Sequence, residues 1–129
     1  MLDLDDTIAA IATAIGAAGL AVVRVSGSSA LVIADAVFEG ARLSQAAGDT
    51  LHHGWAAWPQ AVEAPLVGGV VAAGLAPSAA PAGPARAVRV RLDEVVAAVF
   101  RAPRSYTRQD VVELSCPGGA LSAGRVLAA

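Results

Sequence analysis

The sequence predicts an α+β fold with a β-hairpin start, a mixed or antiparallel sheet and two helices. Three observations carry that expectation. Apolar runs of strand length recur between Gly or Pro breakers, two other stretches repeat apolar residues at helical spacing, and 129 residues suffice for one core but not two. Composition sets the quality of that core. Hydrophobic residues make up 56 % of the chain, but 32 residues are Ala and only 4 % are aromatic. Val, Leu, Ile and Ala must therefore fill the interior, and each Ala buries little area.

The runs TIAAIAT (7–13) and LAVVRVS (20–26) flank AIGAAG, where Gly16 and Gly19 suit a turn between two strands. The chain thus opens on a hairpin. Ser26, Gly27, Ser28 and Ser29 break the second strand and offer N-cap hydroxyls to a helix over 28–39, where Leu31, Ala34 and Val37 or Phe38 share a face. LHHGWAAW (51–58) reads as a strand despite its internal Gly54. Residues 59–87, rich in Ala, Pro and Gly without a usable period, read as a flexible insertion. Strand patterning returns over 88–103 and again in DVVELS (110–115), with a loop over 104–109 between them. After Cys116, Pro117, Gly118 and Gly119, the segment ALSAGRVLAA resembles the start of a second helix cut by the chain end.

Several function classes are disfavoured by composition. Nine basic and eleven acidic residues give a net charge of −2, without the basic excess that nucleic-acid binding by counterion release needs. No direct nucleic-acid binding is expected from this chain. The most apolar stretch, 8–23, has sixteen residues, short of the roughly 18 to 20 that cross a bilayer, and acidic Asp3, Asp5 and Asp6 precede it. Neither a membrane anchor nor a secretory leader is supported, so a cytoplasmic location is expected. One cysteine, Cys116, permits no internal disulfide, and with only His52 and His53 beside it no zinc framework assembles. Neighbouring strand residues face opposite ways, so those two histidines cannot easily share an ion. Cys116 reads as a small buried thiol. There is no phosphate-binding loop, nucleophile elbow or dinucleotide fingerprint, and stand-alone catalysis is not expected.

Two charges stand apart. Arg24 interrupts AVVRVSG and Glu113 interrupts VVELSC, where an unpaired charge on an apolar strand would be costly. One solution is a salt bridge, mutual or with neighbours. The other is a polar pocket: a carboxylate accepts two parallel N–H bonds from a guanidine-like heterocycle edge, while Arg grips a carbonyl or carboxylate.

DTIAAIAT (6–13), GLAVVRVSG (19–27) and DEVVAAVFRAPRSYTRQDVVELSCPGG (93–119) together resemble the N-terminal domain of the MnmE/TrmE family of tRNA modification GTPases. APRSYT followed by DVVEL is the most specific part. The resemblance implies a small folate-binding domain over 1–129, with a fold like that of the aminomethyltransferases, that binds 5-formyl-tetrahydrofolate and forms a homodimer. It places helical and GTPase domains, with GTP, Mg and K, outside this chain. A flavin-dependent MnmG-type partner and tRNA are then reached through the full-length protein, which installs a carboxymethylaminomethyl or aminomethyl group on the wobble uridine. The family's folate-contacting Arg matches Arg24 and its Glu matches Glu113, which makes these two the expected cofactor-binding residues; no catalytic or metal residue is expected.

The chain departs from the family pattern in its loops. Ala17 and Ala18 stand where an Arg and a Gly are usual, and Arg108, Gln109 and Pro117 replace Gly, Glu and His. A Gly used at 108 for positive φ would make Arg there cost about 1 kcal/mol. Two readings of other classes stand beside the first: a stand-alone folate-dependent aminomethyl or formyl transferase, and an inactive truncated fragment.

Overall fold

A computed structural model describes residues 6–59, 89–118 and 120–129. All of the proposed insertion, 59–87, except Pro59 lies outside the described residues. Among the described residues six strands form one sheet: β1 (Ile8–Ile11), β2 (Leu20–Ser26), β3 (Phe38–Glu39), β4 (Thr50–Pro59), β5 (Arg89–Phe100) and β6 (Val111–Pro117). Two helices, α1 (Ala30–Val37) and α2 (Ala120–Ala128), complete the α+β architecture. The order across the sheet is β1-β2-β6-β5-β4-β3, and every neighbouring pair is antiparallel.

That order follows from the chain's alternations. The expected opening hairpin forms, with Ile8 opposite Ser26 and Ile11 opposite Val23. Helix α1 then carries the chain from β2, near one edge, to β3 at the other. Strands β4 and β5 pair along their length, with Pro59 opposite Arg89, so the segment between them begins and ends at adjacent strand positions. A bulge at Ala56/Ala57 shifts the register once within that pair.

Both helices cover one face. Helix α1 meets β2, β4 and β6, while α2 meets β1, β2, β5 and β6. Their buried residues, Leu31, Ala34 and Val37 of α1 with Ala123 and Val126 of α2, close over Ala21, Val23, Val95, Ala97, Val99, Val112, Leu114 and Cys116. Period-two alternation predicts this partition, since side chains at i and i+2 share a face. The small residues expected of an alanine-rich core allow helix and sheet to approach closely, and Ala30, Ala34, Ala56 and Ala97 are fully enclosed.

Three local expectations need correction. The first helix is shorter than 28–39, because Phe38 and Glu39 extend and pair with Ala56 and Trp55 of β4. The serine hydroxyls do not cap it: Ser29 is the N-cap residue but makes no side-chain cap bond. Thr7 Oγ1 instead fixes the N-cap residue itself, accepting from the Ser29 N–H at 3.0 Å. A 3-10 turn at Leu43–Gln45 was not anticipated either. The Asp35 carboxylate of α1 holds it, accepting from the backbone N–H groups of Leu43 at 2.6 Å and Ser44 at 3.2 Å, and from the Ser44 hydroxyl. That tertiary contact has no local sequence signature.

Gly54 is demanded by packing. A Cβ there would run into the Phe38 ring and the Glu39 carbonyl oxygen where β3 crosses close to β4. The glycine that weakened the sequence reading of this strand is thus what lets its edge partner dock.

Candidate functional site

Opposite the helices, the sheet's second face has no covering element among the described residues. Register places Leu51, Ala98, Glu113, Arg24 and Ala10 on one line across β4, β5, β6, β2 and β1. Arg24 and Glu113 sit directly opposite each other at the centre of this line. Within the sheet, Ala98 and Ala10 flank the pair on either side.

The two charges that break the apolar strands satisfy one another. Glu113 Oε1 accepts from Arg24 Nε at 2.9 Å and from Nη2 at 2.6 Å. The mutual salt bridge weighed from sequence therefore exists. Both bonds end on the same carboxylate oxygen, and no described residue donates to Oε2. The side chains are 35 % and 19 % exposed, so the pair is accessible from solvent while resting on the sheet.

The loop between β5 and β6, expected over 104–109, spans 101–110 and closes over one end of this pair. It is tied down at several points. Ser26 Oγ and Thr107 Oγ1 lie 2.7 Å apart, Ser105 Oγ donates to the Gln109 carbonyl at 2.6 Å, and Asp110 Oδ1 accepts from the Ala102 N–H at 2.9 Å. Ser26, on β2, is itself 3 % exposed. This staple places the Tyr106 ring over the Arg24 guanidinium, 4.9 Å from its central carbon to the ring centroid. Tyr106 remains 78 % exposed. Arg108, in the same loop, has φ of 63°, the left-handed conformation anticipated for a position where the family usually carries Gly.

Further along the open face, exposed Leu51 and Val96 border His53, whose Nε2 lies 2.6 Å from Glu94 Oε1. Arg91 pairs with Glu39 and lies over the Trp55 ring, its central carbon 5.0 Å from the centroid. The two histidines separate as expected: His52 turns to Thr50 Oγ1 at 2.9 Å and does not join His53. No group of three His, Cys, Asp or Glu that could hold a metal occurs among the described residues.

Cys116 is buried on the helix side, its Sγ 3.4 Å from the Ala21 carbonyl oxygen. Burial pushes its thiol pKa up, and the Asp93 carboxylate adds to the shift. It takes no part in the open face. A cavity of about 270 Å³ lies at the far edge, beside Asp35, Phe38, Glu39, Arg42 and Arg89, away from the Arg24–Glu113 pair.

Sequence reasoning found Arg24 and Glu113 by their charge on apolar strands. It did not single out Tyr106, Ser26 or Thr107. APRSYT is legible as a family marker, but that its ring reaches back over β2 depends on the hydrogen bonds of the folded loop.

Residues 7–129 match the family model described as GTP-binding protein TrmE N-terminus. Among curated proteins, the tRNA modification GTPase MnmE of Moorella thermoacetica is 39 % identical over 127 residues, covering 96 % of this chain and 22 % of the relative. The MnmE of Exiguobacterium sibiricum is 37 % identical over 123 residues and that of Lactobacillus johnsonii 34 % over 122, each covering 95 % of this chain and 21 % of the relative. The chain thus spans about a fifth of the length of these relatives.

Proposed function

Because the chain belongs to the TrmE N-terminus family, we propose that it is the folate-binding and dimerising module of a tRNA-modifying GTPase, holding 5-formyl-tetrahydrofolate on its open sheet face. GTP hydrolysis, the flavin-dependent partner and tRNA belong in this reading to the full-length protein. The fold likeness to aminomethyltransferases is part of the same proposal. One observation carries it: a partly exposed carboxylate and guanidinium, opposite each other on apolar strands, at the positions that match the family's folate contacts.

The residues fit such a ligand. A reduced pterin presents a guanidine-like N–H edge, which a carboxylate can accept through two parallel bonds, and Glu113 still has Oε2 to offer. Arg24 can donate to a ligand carbonyl or carboxylate through its planar guanidinium. When bound, the folate supplies the one-carbon unit. This chain's own residues bind and orient; none of those described on the open face forms a nucleophile and base pair.

The pair's own geometry favours a second reading, in which Arg24 and Glu113 only stabilise the sheet. Calorimetric titration of 5-formyl-tetrahydrofolate into the 129-residue chain separates the two. Saturable heat with one ligand per protomer is the expected result. Absence of binding, with the fold intact by circular dichroism, leaves the structural role alone. Sedimentation velocity on the same sample tests the dimer, which a purely monomeric chain would contradict.

A further inference from the structure

Glu113 and Tyr106 already hold a guanidinium group, and that group belongs to the protein. Arg24 receives a carboxylate partner in Glu113 and an aromatic partner in Tyr106. A flat heterocycle with a guanidine-like edge needs the same two partners. To accept two parallel bonds, Glu113 must use both oxygens, and Oε1 is committed to Arg24. Arg24 must therefore release Oε1 before that mode of binding completes, and the ring contact it makes with Tyr106 is released with it.

From this we propose that Tyr106 and Glu113 form one slot for a guanidine-like ring, that the Arg24 guanidinium fills it from within, and that Tyr106 stacks on the pterin once Arg24 turns to another part of the ligand. This rests on the folate reading above and adds to it the aromatic wall and the exchange. Two further observations support it. Tyr106 is the most exposed aromatic residue of the described chain and buries too little surface to serve the core. Its loop is nevertheless fixed to β2 through Ser26 and Thr107, so the ring is held over the pair at little further ordering cost.

The test uses the 129-residue chain, 5-formyl-tetrahydrofolate and its two halves, a methylated tetrahydropterin and p-aminobenzoyl-glutamate. Tyr106→Leu should weaken binding of the whole ligand about tenfold, the order expected for loss of one stacking contact, while Tyr106→Phe stays within about twofold. The tetrahydropterin should show the same dependence on residue 106, and p-aminobenzoyl-glutamate none. Because the chain has a single tyrosine, its ring protons form one identifiable set, and they should shift on addition of the tetrahydropterin. Thermal midpoints of both variants should match the wild type. If the wild type binds folate but Tyr106→Leu binds it equally well, or if the dependence follows p-aminobenzoyl-glutamate, the slot is wrong and the folate reading survives. If the wild type binds no folate, both fall.

Discussion

The two faces of the sheet use the same strands to opposite ends. On the helix side β2 and β6 present Ala21, Val23, Val25, Val112, Leu114 and Cys116, all buried. On the other side, one residue out of phase, they present Val22, Arg24, Glu113 and Ser115, all partly exposed. A one-residue slip of register would exchange the two sets, burying an ion pair under the helices. The charges on these strands are tolerated because they lie on the uncovered face, where they pair with each other and stay within reach of solvent.

The sharpest way to break that comparison is to truncate one leucine on each face. Leu114, 1 % exposed, should cost about 2–5 kcal/mol when changed to Ala, through lost burial and the cavity left behind. Leu51, 73 % exposed and on the line through Glu113, should cost about 0.5 kcal/mol or less on the same change. Chemical denaturation measures both, and equal costs would mean that the open face is part of the core.

A smaller effect follows from Cys116, a buried thiol on the covered face. Its thiol pKa is raised in the folded chain by burial and by Asp93. The folded state then holds the proton more tightly than the unfolded state. This contribution is fully present below the unfolded thiol's pKa and is lost as pH rises above it. Stability should fall on the alkaline side of about pH 8.5, and Cys116→Ser should flatten that decline. Alkylation by iodoacetamide should likewise be slow in the folded chain and fast in denaturant.

The smallest effect belongs to the loop of the open face. Arg108 sits at φ 63°, so Arg108→Gly removes a left-handed strain, while the added freedom of the unfolded chain offsets part of the gain. Thermal unfolding should show stabilisation of a few tenths to about 1 kcal/mol. A loss of stability would mean that the Arg108 side chain makes a contact that outweighs its backbone conformation.

Much of this was readable before folding. Alternation located β2, β4, β5 and β6, and the glycine-bearing AIGAAG segment located the hairpin turn. Leu31, Ala34 and Val37 marked the buried stripe of α1. What escaped was set by distant partners. Phe38 and Glu39 leave the helix because β4 offers them a ladder, and Leu43–Gln45 turn because Asp35 accepts the N–H groups of Leu43 and Ser44. At the site, the cost of a lone charge on an apolar strand exposed Arg24 and Glu113. Their mutual register is a property of strand pairing across 89 positions of chain, and Tyr106 reaches them through hydrogen bonds of its loop. Local pattern contains neither.

The proposed function makes Glu113, on the uncovered face, a ligand-binding carboxylate. Glu113→Gln keeps the shape and removes the charge, so the most direct measurement is calorimetric titration of 5-formyl-tetrahydrofolate into the wild type and this variant at one salt concentration. Loss of charge-assisted hydrogen bonds should weaken binding by about 1.5–3 kcal/mol, roughly ten- to more than a hundredfold in affinity. Leu51→Ala, on the same line of the sheet but apolar, serves as the control for general damage to the face. Wild-type affinity in Glu113→Gln would contradict the claim and return the Arg24–Glu113 pair to a purely structural role.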